Sequence, residues 1–290
     1  MMTYLKLVLT AIIWGGTFVA GRIVMQTMEP FTAAFFRFAV ASICLFVLTQ
    51  KIGKRLPKLK KNQILTVILL GLTGVFSYNA FFFLGLQTVA ASRAALIVAL
   101  NPTFIALGAA LFFQEKLNKL KLLGIVTSLL GAAIVISKGQ IVNLFKGSIG
   151  WGELFIFGCV LSWVAYTLIG KSAMKYLSPL AATTYACIIG AIALLVPALF
   201  EGITQFTQFP LSAWLGILYL GVLGSAIGFS WYYEGVVAIG AAKASIFINV
   251  VPVSAIAFAA LLLHEPITIS LVLGGILVVI GVLLTNKGKG

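Results

Sequence analysis

The chain has 290 residues, of which 61% are hydrophobic and only 9% are charged. A soluble domain carries about 25% charged residues, so this composition excludes a water-facing globular protein and favours a surface immersed in lipid. The net charge of +14 would suggest nucleic-acid binding in a soluble protein. Here the basic residues cluster between apolar segments, as in the cytoplasmic loops of membrane proteins, so we expect no nucleic-acid partner.

Ten apolar segments follow one another along the chain, each of about the 20 residues that a helix needs to cross a bilayer. The loops between them are too short to hold a soluble domain. We therefore predict an all-α membrane protein with ten transmembrane helices. The predicted spans are residues 4–26, 31–50, 64–86, 92–113, 119–137, 150–170, 180–200, 211–235, 243–263 and 268–285.

The basic residues indicate how the spans are oriented. If the N-terminus lies in the cytoplasm, that side receives 15 Lys and Arg residues and the opposite side receives 4. Cytoplasmic loops carry such an excess. We predict an integral, multi-pass protein of the plasma (inner) membrane with both termini cytoplasmic.

The two halves of the chain repeat each other. Equivalent residues lie 149 positions apart in the first two spans of each half and 150 apart further on. The pairs are Trp14 and Trp163, Gly21 and Gly170, Pro30 and Pro179, Gly71 and Gly221, Gly74 and Gly224, Pro102 and Pro252, Gly124 and Gly274, and Gly131 and Gly281. We assign residues 1–145 to a first five-helix repeat and residues 146–290 to a second.

An odd number of spans in each repeat requires the second copy to enter the membrane in the opposite orientation. The loops agree, because residues 51–63 carry six basic residues and the equivalent residues 201–210 carry none. Inverted repeats are typical of alternating-access transporters, whose substrate site lies near the middle of the membrane. The sequence therefore predicts two inverted repeats around a shared pathway.

Two prolines occupy matching places in the middle of predicted spans. Pro102 and Pro252 lack an amide hydrogen, so each interrupts the helical hydrogen bonding. Unpaired carbonyls at membrane depth are tolerated where they face a cavity or another helix. We interpret these kinks as gating elements, with helix packing as the alternative.

Polar and aromatic side chains inside the spans are candidates for the substrate site. An amide in hydrocarbon needs a partner, either the substrate or a neighbouring helix. Tryptophan away from the membrane interface suits a cavity for an amphipathic organic solute, although helix packing remains the alternative. The candidate substrate-binding residues are Trp14, Thr17, Arg37, Tyr78, Asn79, Asn101, Trp163, Tyr166, Trp231 and Asn249.

Arg37 is a basic residue within a predicted span, and its equivalent in the second repeat is Ala186. Ionisable residues at membrane depth mark functional sites. Two readings are open. Arg37 either holds a carboxylate of the substrate or extends outward toward Glu29 at the membrane surface.

Metal and enzyme chemistry find no support in the sequence. Cys44, Cys159 and Cys187 lie in apolar segments with no metal-ligand spacing, and we predict them to be small buried hydrophobic residues. No zinc-hydrolase motif or ATP-binding loop is present. We expect no cofactor, no metal and no enzymatic activity.

Short motifs repeated in the two halves resemble the drug/metabolite transporter superfamily, specifically its ten-helix EamA-type exporters. They are residues 14–18 (WGGTF), 91–95 (ASRAA), 101–102 (NP), 113–117 (FQEKL), 241–245 (AAKAS) and 264–266 (HEP). The resemblance covers nearly the whole chain. It implies export of amino acids, other metabolites or drugs, usually driven by the proton gradient.

The sequence thus favours a secondary transporter that exports small organic solutes by alternating access. An exchanger or importer of metabolites remains an alternative. A channel is another, although the spans lack the charged rings that many ion channels use. Neither the substrate nor the oligomeric state is defined by the sequence.

Overall fold

A computed structural model describes residues 2–51, 56–114, 117–140, 150–239, 244 and 246–287. The described residues form helices and loops, with no strand among them. Ten helical segments follow the predicted spans. They are α1 (Met2–Val24), α2 (Pro30–Lys51), α3 (Gln63–Leu86), α4 (Ala91–Phe113), α5 (Lys119–Ile136), α6 (Trp151–Ala173), α7 (Pro179–Phe200), α8 (Leu211–Ile239), α9 (Phe247–Leu263) and α10 (Ile269–Lys287).

Among the described residues, eight helices, α1 to α8, are long and apolar enough to cross a membrane, while α9 and α10 are shorter apolar helices. Many large apolar side chains on the outside of this bundle are exposed, for example Phe200 at 88%. A soluble protein rarely exposes apolar surface on this scale. The exposed surface therefore suits a lipid environment. The predicted boundary between the repeats, at residues 145 and 146, lies outside the described residues.

Helix starts are fixed by side-chain acceptors, since the first N–H groups of a helix have no partner within it. The Ser178 hydroxyl accepts from Ala181 N at 3.3 Å, and Asn118 Oδ1 accepts from Lys121 N at 2.9 Å. A distant residue serves α4, because the Glu265 carboxylate accepts from Ala91 N at 2.8 Å. This last contact connects the start of α4 to the loop after α9.

Four helices are irregular, and they form two equivalent pairs. Helix α3 contains a π-helical segment at Gly71–Ser77, and α8 contains one at Tyr219–Ile227. Helix α4 is interrupted between Val98 and Asn101, and a 3₁₀ turn at Ile246–Asn249 leads into the regular part of α9. Such irregular turns are frequent at functional sites. The irregular segments occur at matching positions in the two halves of the sequence.

Helices α5 and α10 pack backbone against backbone through glycine. A Cβ atom at Gly124 would lie 2.6 Å from the Gly281 carbonyl oxygen, and one at Gly131 would lie 2.6 Å from that of Gly274. The reverse contacts, from Gly281 and Gly274, are equally close. Since a Cβ atom would collide with backbone, these positions require glycine. The two helices run antiparallel, because the residue order along one is reversed along the other.

Helices α2, α3, α7 and α8 meet through a second set of close contacts. A Cβ atom at Gly71 would lie 2.8 Å from Ile189 and 3.1 Å from the Ala186 carbonyl oxygen. A Cβ atom at Gly221 would lie 2.8 Å from Val40 and 2.8 Å from the Arg37 carbonyl oxygen. These are equivalent contacts, since each residue of the first set has its counterpart 149 or 150 positions away in the second.

The same reciprocity extends to two candidate site residues. Tyr166 packs against Gly74, and Thr17 packs against Gly224, where a Cβ atom would lie 2.7 Å from the Thr17 methyl group. Thr17 and Tyr166 are 149 positions apart, and the two glycines are 150 apart. The shared packing places α1 and α6 in equivalent positions against α8 and α3.

Candidate functional site

Three polar side chains meet where α2, α3 and α8 pack together. Arg37 is only 7% exposed, and Nη1 donates to Asn79 Oδ1 at 3.0 Å while Nε donates to Ser225 Oγ at 3.4 Å. Asn79 in turn donates through Nδ2 to the Val75 carbonyl oxygen at 2.8 Å. We call Arg37, Asn79 and Ser225 the polar cluster.

The guanidinium also lies against two aromatic rings, 5.1 Å from the centroid of Phe38 and 5.7 Å from that of Phe82. The outward path toward Glu29, one of the two readings of Arg37, is therefore wrong. A side chain that bonds Asn79 and Ser225 in the core does not extend to the membrane surface. The direction of the Arg37 side chain depends on the rotation of α2 about its axis. The residue type at position 37 does not define that rotation.

The surroundings of Arg37 explain how a charge is retained there. An arginine at the centre of a membrane helix costs about 2.5–3.5 kcal/mol on insertion scales. A hydrogen bond to a charged group contributes about 1.5–3 kcal/mol, and a desolvated cation–π contact about 2 kcal/mol. These contacts offset the cost of burial. Their partners are neutral, however, so the positive charge itself stays uncompensated.

An aromatic wall lies beside the polar cluster. The Tyr78 ring centroid is 5.4 Å from that of Trp163, and the Trp163 centroid is 5.2 Å from that of Tyr166. The ring centroid of Trp14, in α1, is 5.8 Å from that of Phe229, and Trp14 Nε1 donates to the Gly224 carbonyl oxygen at 2.9 Å. Tyr78, Trp163 and Tyr166 are thus brought together as candidates, whereas Trp14 serves the contact between α1 and α8.

A small cavity adjoins the aromatic wall. Its volume of about 10 Å³ is room for roughly one water molecule, so an organic solute requires it to widen. Its lining is mostly apolar. The lining residues are Phe38, Gly74, Val75, Trp163, Tyr166, Thr183, Ala186, Cys187 and Phe229. We call this space the central cavity.

The polar cluster and the central cavity are related through the repeat. Arg37 corresponds to Ala186, 149 positions on; Asn79 corresponds to Phe229, and Ser225 to Val75, both 150 positions apart. All three counterparts line the cavity. The short Ala186 side chain thus lines the cavity at the position that Arg37 occupies in the other half.

Asn101, Pro102, Asn249 and Pro252 lie at the irregular segments of α4 and α9. Asn101 and Pro102 begin the second part of α4, and Asn249 and Pro252 begin the regular part of α9. The Asn101 Oδ1 atom is buried and has no hydrogen-bond partner among the described residues. These residues belong to the helix breaks, and none of them lines the central cavity.

Trp231 lies apart from the other candidates, beside the Lys6 ammonium group at 6.0 Å. Lys6 forms an ion pair with Glu234 at 2.5 Å, and the Glu234 side chain is 56% exposed. The pair joins the first turns of α1 to the end of α8. Trp231 therefore accompanies a contact at a helix end, while Trp163 lines the cavity.

Carboxylates gather at helix ends. Glu265 accepts from Ser92 Oγ at 2.5 Å as well as from the start of α4, and Glu153 pairs with Arg93 at 2.9 Å. Glu201 accepts from Thr32 N at 2.8 Å. Partial burial raises the pKa of the Glu201 carboxyl, while the hydrogen bond from the Thr32 amide acts in the opposite direction. These groups link helix ends, and none of them lines the central cavity.

Within the described residues, no group of three or more His, Cys, Asp or Glu side chains lies close enough to hold a metal ion. Cys159 and Cys187 are buried and Cys44 is partly buried, and all three are free. The site therefore depends on a guanidinium, amide and hydroxyl groups and aromatic rings.

Sequence reasoning missed Ser225 and the cavity residues Phe38, Cys187 and Phe229. A signal for Ser225 exists, because it is a polar residue whose equivalent in the other repeat, Val75, is apolar. The same comparison had singled out Arg37. Asn79 fits the same comparison, because its equivalent in the other repeat is Phe229.

The fold and sequence are similar to those of known proteins. A solved structure titled only as a protein crystal structure has a TM-score of 0.68 at 17% identity, covering 99% of each chain. An uncharacterized transporter of Bacillus subtilis is 34% identical over 98% of this chain and 93% of its own length. A probable terminal-alkyne amino-acid exporter of Streptantibioticus cattleyicolor is 30% identical over 97% of this chain and 92% of its own length.

The model of the EamA-like transporter family matches the chain twice, at residues 1–137 and 150–287. Together the two matches cover nearly all of the sequence, including both the polar cluster and the central cavity. The family resemblance predicted from the motifs is thereby confirmed. The long apolar helices agree with a multi-pass membrane protein. The chain belongs to the EamA-like transporter family.

Proposed function

We propose that the protein is a secondary transporter that exports small organic solutes, with amino acids foremost, across the plasma membrane by alternating access. The observation that carries the proposal is the reciprocal packing of α2, α3, α7 and α8. Gly71 meets Ala186 and Ile189 as Gly221 meets Arg37 and Val40. Two equivalent half-molecules can exchange conformations, so that the centre opens first to one side and then to the other.

Further support for two inverted five-helix repeats comes from α5 and α10. Gly124 faces Gly281 while Gly131 faces Gly274, which is the pattern of an antiparallel pair related by a two-fold axis. The two matches to the family model divide the chain in the same way. The excess of basic residues in the loops supports placing both termini in the cytoplasm.

Motion requires helices that can change shape. The π-helical segments Gly71–Ser77 and Tyr219–Ile227 flank the centre, and the breaks before Pro102 and Pro252 divide α4 and α9. Irregular turns within helices often mark functional hinges. We assign the gating movement to these four segments.

The substrate class rests on two observations. One relative carries the name of a probable amino-acid exporter, and the centre of this chain pairs a guanidinium with aromatic rings. The proton gradient is the energy source that the family resemblance implies. Among the described residues, the acidic groups lie at helix ends, so coupling through a central carboxylate is not part of the proposal.

Counterflow in proteoliposomes tests the proposal. Vesicles containing the purified protein are loaded with unlabelled phenylalanine, leucine or alanine at high concentration, and uptake of the same labelled amino acid from outside is followed. A carrier exchanges internal for external solute, so label accumulates transiently. A pH gradient imposed in separate samples reports on coupling.

Empty liposomes and vesicles with Pro102→Ala and Pro252→Ala combined serve as controls. We expect protein-dependent accumulation that the double variant slows several-fold while its membrane insertion is unchanged. Absence of counterflow for every amino acid contradicts the substrate class. Flux that equilibrates without transient accumulation contradicts a carrier and indicates a channel.

A further inference from the structure

We propose that the polar cluster and the central cavity form one binding site for a solute that carries a carboxylate on an apolar, ring-sized group. Arg37, with Asn79 and Ser225, binds the carboxylate, and the cavity receives the apolar group. The inference rests on the proposed function and specifies its substrate class. It assigns two different tasks to two adjoining regions, which separate variants can test.

The first argument is the charge of Arg37. Arginine presents five N–H donors and carries its charge at neutral pH. In the described part of the chain, the ion pairs are Lys6–Glu234 and Arg93–Glu153, and neither involves Arg37. Its hydrogen-bond acceptors are the neutral oxygens of Asn79 and Ser225. A buried cation with neutral partners attracts an anion, and a carboxylate matches the planar geometry of a guanidinium.

The second argument is continuity between the charge and the cavity. Phe38 lies under the guanidinium at 5.1 Å and also lines the cavity. Val75 lines the cavity and accepts the hydrogen bond from Asn79. Phe38 and Val75 thus contact both the polar cluster and the cavity, so a solute that widens the cavity beside them would come within reach of the guanidinium.

The third argument is the nature of the cavity wall. Trp163, Tyr166 and Phe229 supply aromatic faces, and Ala186 supplies free volume opposite them. A wall of this kind favours an apolar or aromatic group over a polar one. A single guanidinium also suits a monoanion. An organic phosphate, with two charges, calls for a second cation that the described lining does not provide.

The test uses two probes of one shape, 3-phenylpropanoate and its neutral amide 3-phenylpropanamide. Their affinities for the purified protein in lipid nanodiscs are measured through tryptophan fluorescence, since Trp163 lines the cavity. We expect the wild type to bind the acid at least tenfold more tightly than the amide. Arg37→Gln should reduce this ratio to about one, and Arg37→Lys should retain part of it.

Two further variants separate binding from structure. Ala186→Leu fills the cavity and should weaken acid and amide alike, at least fivefold, with their ratio unchanged. Arg93→Gln removes one arginine charge at a helix end and should leave both affinities unchanged. If Arg37→Gln does not fold, the acid-to-amide affinity ratio of Arg37→Lys and the affinities of Ala186→Leu for both probes still test the proposed site.

A wild-type protein that binds the amide as well as the acid, or binds neither, overturns the inference. So does a ratio that Arg37→Gln leaves unchanged. These outcomes are distinct from failure of the proposed function. Amino-acid counterflow without a preference for the acid would support the proposed transport and contradict the carboxylate site. A preference for the acid without flux of any amino acid would support the carboxylate site and contradict the proposed transport of amino acids.

Discussion

Two regions at the centre of the molecule have equivalent positions in the two halves of the chain and opposite chemistry. On one side Arg37, Asn79 and Ser225 form a hydrogen-bonded cluster. On the other side their counterparts are Ala186, Phe229 and Val75, which line a cavity. The backbone contacts of both regions are the same, with Gly221 against Arg37 and Gly71 against Ala186. Backbone packing and binding chemistry are therefore separable in this fold.

The largest expected effect comes from making the two regions alike in charge. Ala186→Arg introduces a guanidinium where the equivalents of Asn79 and Ser225 are Phe229 and Val75, which offer no side-chain acceptor. We expect destabilisation of about 2.5–3.5 kcal/mol, the cost of an unpaired arginine at membrane depth. The unfolding midpoint in detergent measures it.

Ala186→Met is the matched control for this variant, because it adds an unbranched side chain without charge. It should lower the unfolding midpoint less than Ala186→Arg does. Equal losses in the two variants would mean that volume, and not the missing acceptors, distinguishes the two regions.

The shared backbone framework is tested at its two glycines. Gly71→Ala and Gly221→Ala each place a methyl group 2.8 Å from a neighbouring atom, and overpacking of this kind costs about 1–3 kcal/mol. We expect losses of similar size at both positions. Thermal unfolding of the two variants, compared side by side, provides the measurement.

Gly170→Ala controls for the change of residue type, since its nearest atom would be 3.9 Å away. Alanine is favoured over glycine in a helix by about 1 kcal/mol, so this variant should be at least as stable as the wild type. A large loss at Gly71 with none at Gly221 would show that the two halves do not pack equivalently.

A smaller effect is expected when the polar cluster is made more like its counterpart. Ser225→Val substitutes the residue found at position 75 and removes the 3.4 Å hydrogen bond from Arg37 Nε. A long hydrogen bond contributes at the low end of the range for a charged group, so we expect a loss of about 1.5 kcal/mol. Chemical denaturation measures the change. A loss of stability larger than that of Ala186→Arg would contradict the expected order of the two variants.

The smallest effect concerns pH, at a helix end outside both regions. Burial raises the pKa of Glu201 above its ordinary value of 4.5, so the folded protein binds this proton more tightly than the unfolded chain. The resulting stabilisation is present below the unfolded pKa and is lost as pH rises through the folded pKa. Glu201→Gln retains an acceptor for Thr32 and should flatten the pH dependence of the unfolding temperature above pH 4.5.

Glu153→Gln, at another helix end, serves as the comparison for this variant. No change of slope in Glu201→Gln relative to wild type would mean that Glu201 does not contribute to the pH dependence of stability.

Hydropathy predicted the helices well, because crossing a bilayer constrains length and apolarity along the whole segment. The ends differ from the prediction by a few residues, as in α1 and α6. Residues 243–263 were predicted as one span, whereas the described helix is Phe247–Leu263. The π-helical segments were not predicted, since Gly71 and Gly221 indicate close packing without indicating the hydrogen-bond register.

The site was predicted less completely, for a physical reason. Arg37 and Asn79 were recognised because polar groups in a membrane need partners, but their mutual contact depends on the rotation of α2 and α3. Ser225 was overlooked because serine is common in transmembrane helices. The cavity lies beside the short side chain of Ala186. An alanine gives no signal of a cavity in the sequence unless it is compared with its counterpart, Arg37.

Accessibility labelling at equivalent loop positions tests the central claim, that two oppositely oriented halves surround one pathway. Lys58→Cys and Thr207→Cys, 149 positions apart and both exposed, are made separately in a background lacking Cys44, Cys159 and Cys187. A membrane-impermeant maleimide is then applied to intact cells and to inside-out vesicles. We predict labelling of Thr207→Cys in cells and of Lys58→Cys in inside-out vesicles. Labelling of both from the same side would contradict the account.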